Sequence, residues 1–182
     1  MSSFKAIARL AAMAVTVGSV TSVAQAATDG SLGATSTGSV AINASVPSRA
    51  QISGLSDIDF TNSDPTSSPS DAQDVCVWSN SSGGSYTITA SGDPTDGFVL
   101  KSGADSVAYS VEWADVSGQT SGTALSSGTQ SATFASVATH HSCTTGPAAS
   151  ASLIVSMTSA DLQTMAAGST YTGTLTLLVS PI

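Results

Sequence analysis

The sequence predicts an all-β sandwich. Apolar and polar residues alternate with a period of two in several stretches, which is the pattern of a strand with one buried face. These stretches recur about every ten residues, and segments rich in Gly, Pro and Ser separate them, as is typical of sandwiches. Hydrophobic residues make up 41% of the chain and charged residues 9%, a balance that favours a packed domain over disorder.

The first 26 residues have the pattern of a secretory signal peptide. Lys5 and Arg9 precede an uncharged, mostly apolar stretch over 10–23, and small residues flank a cut between Ala26 and Ala27. A membrane anchor is the alternative, but the stretch falls short of the roughly 20 apolar residues that a membrane helix needs. We therefore expect an exported mature chain that begins at Ala27.

The longest alternation follows in SLGATSTGSVAINASVP (31–47). One register holds every bulky aliphatic side chain, and the other holds small or polar residues. The pattern runs for about fifteen residues, where a typical strand has five or six. A strand of this length raises the question of which other strand it pairs with. Its aliphatic register comprises Leu32, Ala34, Ser36, Gly38, Val40, Ile42, Ala44 and Val46.

The remaining elements follow in order along the chain. Segments 61–74 and 115–129 are loops by composition, and DPTDG (93–97) is a turn because Pro fixes φ and Gly accepts a positive φ. The alternation from Val107 to Trp113 is the clearest core strand. A capped helical turn is expected over 159–162. Strands are predicted around 76–78, 86–90, 98–100, 107–113, 133–137, 151–157 and 171–182.

The edge of the last strand is expected to lie uncovered. Leu175, Leu177 and Val179 line one face of a strand without charged residues. Exposed strand edges invite pairing with another chain, so proteins usually shorten, charge or cover them. This strand therefore predicts an edge that pairs with a partner.

Two cysteines, Cys76 and Cys143, predict a disulfide, because an even count in an exported chain indicates pairing. In the chain-entropy model a bridge of this span stabilises the fold by roughly 4 kcal/mol. Two free thiols are the alternative. A metal site in HHSC (140–143) is disfavoured, because Cys143 would be oxidised and no second group of ligands stands out.

Charge and motif content argue against other functions. The mature chain would keep only Arg49 and Lys101 as strong bases against 12 acidic residues, so nucleic acid is not expected as a partner.

Segment 118–122 lacks the spacing of a nucleophile elbow, and the sole glutamate, Glu112, lies in an alternating strand where it should face solvent. We expect neither an enzyme nor a cofactor. The aspartates between 57 and 74 lack the spacing of a calcium loop.

Taken in order, these features resemble a subunit of chaperone–usher pili. The resemblance covers the whole mature chain, and its ending is similar to those of spore-coat-U-like, archaic and alpha-type fimbrial pilins. The stretch DIDF (57–60) lacks the Phe-Gly turn of the spore-coat-U group. The resemblance rests on SLGATSTGSVAINASVP, CVWSN with one late cysteine, SYTITASGDPTDGFVL, SVAYSVEWADVSG and GSTYTGTLTLLVSPI.

The resemblance implies an incomplete immunoglobulin-like sandwich that lacks its last strand. It divides the chain into a signal peptide (1–26), an N-terminal donor-strand extension (27–47) and a pilin domain (48–182). A periplasmic chaperone would first fill the groove left by the missing strand. The extension of the next identical or related subunit would then replace the chaperone at the outer-membrane usher. The implied donor residues are Leu32, Ala34, Gly38, Val40, Ile42, Ala44 and Val46, and the implied groove edge is Leu175, Leu177 and Val179.

The implied product is a surface pilus for adhesion or biofilm formation, and one alternative of another class stays open. A stand-alone secreted sandwich could bind a glycan or a host protein, with Trp78 and Trp113 as candidate contacts, although strand positions place both more readily in the core. A tip adhesin is disfavoured, because the mature chain is too short for a second, receptor-binding domain.

Overall fold

The computed structural model describes residues 27–182 and confirms the all-β class. The signal peptide and its last residue, Ala26, lie outside the described residues. The described chain divides into two units, 27–45 and 46–182, and each is described by itself. In the part of the chain that the structure covers, no helix has the length and apolar character needed to cross a membrane.

The larger unit consists almost entirely of strands, with one short helix and a 3-10 turn at Ser82–Gly84. The strands are antiparallel to their neighbours. In chain order the elements are β1 (Ala50–Ser53), β2 (Ser70–Ser79), β3 (Ser85–Ser91), β4 (Val99–Ser102), β5 (Asp105–Ala108), β6 (Ser110–Ala114), β7 (Thr123–Ala124), β8 (Phe134–Ala135), β9 (Ala151–Ser156), α1 (Ser159–Leu162) and β10 (Thr176–Pro181).

Two sheets enclose the core. The larger has the order β1-β2-β9-β6-β7, the smaller has the order β10-β3-β8, and β4 pairs with β5 in a separate hairpin. Trp113 of the larger sheet and Tyr86 of the smaller sheet are both fully buried. The indole Nε1–H of Trp113 donates to the Tyr86 hydroxyl at 3.1 Å, so the sheets share a polar link inside an apolar core.

The predicted disulfide is present, with the Cα atoms of Cys76 and Cys143 5.9 Å apart. Val75 and Val77 face the core and are fully buried. Because side chains alternate along a strand, Cys76 lies on the outer face of β2. The bridge therefore holds the 138–146 segment on the outside of the larger sheet.

Several predicted boundaries were wrong in detail. The strand expected over 107–113 is broken at Tyr109 into β5 and β6, and β8 is shorter than the 133–137 strand predicted. β2 begins at Ser70, inside the segment predicted as a loop, because its polar first half pairs with β9. The capped turn is confirmed as α1, where the Thr158 hydroxyl accepts from the Asp161 N–H.

The smaller unit contains no long strand, and the strand that the 31–47 alternation indicates stays a prediction for a neighbouring subunit. Residues 32–35 bend, and Thr28 and Ser39 exchange two backbone hydrogen bonds of 2.9 Å each. Residues 40–49 have no regular structure. An isolated pair of strands is marginal in water, so the alternation has no sheet to join within this unit.

Candidate functional site: an apolar groove beside β10

A groove of about 990 Å³ opens in the larger unit at the start of β10. Its apolar walls come from elements that are distant in sequence. β9, α1 and the residue after β9 contribute side chains that are less than 10% exposed, so the groove is an opening into the hydrophobic core. The six side chains that matter most are Leu153, Val155, Met157, Leu162, Leu175 and Leu177.

The groove borders the start of a strand edge whose backbone groups lack a partner. β10 pairs with β3 in a register that places Leu178 opposite Thr89. The Ile182 N–H donates to the Ser85 carbonyl in the same register. Along an antiparallel ladder, residues that hydrogen-bond to the partner strand alternate with residues whose N–H and C=O groups point away from it. The N–H and C=O groups of Leu177 and Val179 therefore point away from β3. Within residues 27–182 neither residue has a backbone partner on that side.

The rim of the groove is acidic and its interior is neutral. Asp57 and Asp59 lie at the rim, and no basic side chain lines the groove in the described part of the chain. The backbone N–H of Thr61 holds the pKa of Asp59 below its ordinary value. Burial raises the pKa of Tyr109, which also lines the groove. A neutral or cationic apolar segment fits this setting better than an anionic one.

A second wall of the groove is fixed by β4. Lys101 and Thr172 exchange backbone hydrogen bonds of 2.8 and 2.9 Å. The Lys101 ammonium lies 2.9 Å from Asp93 and 2.8 Å from Asp96. Its hydrogen bond to Asp93 lowers the pKa of that carboxyl group. A Cβ on Gly173 would stand 3.0 Å from the Val99 carbonyl, so a side chain at position 173 would push the wall outward.

The residues predicted for the groove edge fall in different places. Leu175 and Leu177 line the groove. Val179 is half-buried and packs against the core, but it does not line the groove. The opposite walls were missed, because no local pattern relates Leu153 or Met157 to the last strand. Their apolar character was visible in the sequence, but their position depends on pairing between distant strands.

The predicted donor residues belong to the segment that has no strand. Every residue from 27 to 49 is exposed, and Ile42 is 88% exposed. Gly38 lies against Thr28, where a Cβ would stand 3.0 Å from the carbonyl oxygen. The same group comprises Leu32, Ala34, Val40, Ala44 and Val46. Their role in a neighbouring subunit stays a prediction.

The other candidate residues lie in the core or make contacts within the fold. Trp113 is core, as predicted, whereas Trp78 is half-buried beside the ring of His141. Glu112 is half-buried, and its carboxylate accepts from the Gly122 N–H at 2.8 Å. In residues 27–182 no three His, Cys, Asp or Glu side chains come together as a metal site would require. His140 and His141 stack on each other with ring centroids 4.2 Å apart.

No family model matches the chain, and no curated protein matches it either.

Proposed function

We propose that this protein is a structural pilin that polymerises by donor-strand exchange. In this mechanism the 27–47 extension of one subunit adds a strand to the open edge of β10 in the next. Backbone hydrogen bonds supply affinity, and alternate side chains in the groove fix the register. The observation that carries the proposal is the groove itself, since core side chains line it close to the unpaired backbone groups of β10.

The strand order gives separate support. In an immunoglobulin-type sandwich, strands A, B, E and D form one sheet, and strands C, F and G form the other. The order β1-β2-β9-β6 matches the first sheet if these strands take positions A, B, E and D. The pair β10–β3 matches the second sheet if β10 takes position F and β3 takes position C. Position G, beside β10, is then filled by no strand of residues 27–182. A strand from a neighbouring subunit would complete the sandwich.

The extension has the chemistry that such a groove accepts. Segment 31–47 carries no charge, so the acidic rim does not repel it. Val40, Ile42 and Val46 are each more than 70% exposed in the free chain. Full burial of one such side chain contributes about 1.5–3 kcal/mol. Insertion would therefore remove apolar surface from water on both partners at once.

The proposal implies specific partners and a route. The partners are identical or related pilin subunits, a periplasmic chaperone that fills the groove before assembly, and an outer-membrane usher. The protein would be exported through the periplasm to the cell surface and form a pilus for adhesion or biofilm formation. Its acidic, weakly charged mature chain gives no support to nucleic acid as a partner.

Filament yield of Ile42→Asp tests the proposal. The variant places an unpaired charge in an apolar groove, which costs several kcal/mol. It also removes an aliphatic side chain from the junction. We expect a subunit that folds with its chaperone but forms no filaments in negative-stain images.

Asn43→Asp is the matched control, because it adds the same charge one residue along and in the opposite register. Its filament yield should stay near that of the wild type. Equal loss in both variants, or collapse of the Ile42→Asp fold in the chaperone complex, would contradict the proposal. A wild-type chain that stays monomeric at every concentration would instead favour a stand-alone binding module.

A further inference from the structure

The edges of the two main sheets differ in length. The edge strands β1, β7 and β8 span four, two and two residues, whereas β10 spans six. Short edges are poor templates for pairing, and long edges are usually interrupted by charge, proline or a cover. β10 contains no charged residue. Because it is the longest and carries no charge, the unpaired edge of β10 is the best template for unwanted pairing among these four.

Proline occurs in β10 at one position, and that position faces the open edge. Pro181 stands opposite Tyr86, while the flanking residues Ser180 and Ile182 direct their backbone groups toward β3. Position 181 therefore shares the outward orientation of Leu177 and Val179. Because proline has no N–H, the open edge offers a carbonyl at this position but no donor.

The missing donor acts most strongly on pairing between two copies of β10. Two identical antiparallel strands pair about a two-fold axis, and each contact then occurs twice. When Val179 faces Val179 of the second copy, Leu177 faces Pro181 at both ends of the ladder. Each of these end pairs lacks the hydrogen bond that residue 181 would donate, and the pyrrolidine ring stands where the partner strand must approach.

We propose that Pro181 is a specificity residue that prevents two copies of this chain from pairing edge to edge through β10. Pro181 thereby leaves the bonding groups of Leu177 and Val179 free for a strand of different sequence. The inference rests on the open edge of β10 and on the residues that face it. It does not depend on which strand fills the groove.

Sedimentation equilibrium of Pro181→Thr tests the inference. The mature chain, residues 27–182, is used with Ile42→Asp as a common background, so that insertion of the 32–46 segment does not compete. Restoring one backbone donor in each copy should lower the dissociation constant for dimerisation roughly 10- to 30-fold. Amide hydrogen exchange should then show new protection at Leu177 and Val179.

Two further variants separate the donor from other effects. Pro181→Ala restores the N–H with a weaker strand former, and it should also dimerise more tightly than the proline parent. Ser180→Thr raises strand propensity at a position that faces β3, and it should leave the dissociation constant unchanged. Three results would overturn the inference: no tighter dimer in either Pro181 variant, a dimer in which Leu177 and Val179 still exchange freely, or equal tightening by Ser180→Thr.

Discussion

At the scale of residues, one side-chain pair joins the two sheets. The Tyr86 hydroxyl accepts from the Trp113 indole in a part of the core where both residues are fully buried. A buried donor that loses its acceptor keeps the cost of desolvation. Tyr86 therefore contributes more than its apolar surface, and the pair fixes how the sheets lie on each other.

Tyr86→Phe should lower the free energy of unfolding by about 1–3 kcal/mol, because the Trp113 N–H is left without its acceptor. Urea denaturation followed by tryptophan fluorescence measures the change. Tyr109→Phe is the matched control, since its hydroxyl makes no hydrogen bond to residues 27–182 and it should change stability less. A loss in Tyr86→Phe no larger than the loss in the control would contradict this role of the Trp113 bond.

Alkaline pH should destabilise the fold through the same residue. Burial raises the pKa of Tyr86 to about 12 from its ordinary value of 10.0. The neutral phenol is thus favoured in the folded state, and its stabilisation is complete below pH 10 and lost as the pH rises toward 12. Urea midpoints between pH 9 and 12 should fall more for the wild type than for Tyr86→Phe. Parallel curves would contradict this assignment.

At the scale of elements, the disulfide holds a loop outside the larger sheet. The Cys76–Cys143 bridge fixes the 138–146 segment, and the His141 ring contacts Gln51 of β1 at 2.9 Å. None of these residues lines the groove. The bridge therefore stabilises the domain at a distance from the candidate site.

Replacing both cysteines with serine should lower the free energy of unfolding by roughly 4 kcal/mol, since a long loop is no longer closed in the unfolded chain. The reduced wild type, measured in the same urea titration, should match the double variant. Amide exchange should rise first in the 138–146 segment. Unchanged stability would mean that the loop is held mainly by its other contacts.

Local pattern predicted some elements and missed others for physical reasons. The alternation around Val111 and Trp113 marks a face buried on the core, and β6 confirms it. β1 is only four residues long, and the first half of β2 is polar, so neither carries a periodic apolar signal. Both strands form because a neighbouring strand supplies their hydrogen bonds. Which strands are neighbours depends on the topology of the whole sheet, so the local sequence does not show it.

Part of the candidate site could likewise be predicted from neighbouring residues in the sequence, and part of it could not. The apolar face at Leu175 and Leu177 is readable from alternate residues of one segment. The walls at Leu153 and Leu162 require knowledge of how β9 and α1 pack against that segment. The 32–46 pattern is the opposite case, because its periodicity is clear while its partner strand is absent from its own unit.

At the scale of the whole molecule, the two units have complementary surfaces. One unit has an apolar groove and an open strand edge, and the other has an exposed aliphatic segment without a sheet. Polymerisation by strand exchange would satisfy both. Each subunit would then be more stable within a chain than alone, because its neighbour covers the groove.

Amide hydrogen exchange at Leu177 and Val179 tests whether a strand is added to β10 on assembly. In the free subunit both amides should exchange quickly, because they face the open edge, whereas the Leu178 amide should be protected by its pairing with β3. In assembled filaments all three amides should be protected, since an inserted strand accepts from Leu177 and Val179. Filaments in which Leu178 stays protected while Leu177 and Val179 still exchange freely would show that no strand has been added to β10, and would contradict donor-strand exchange.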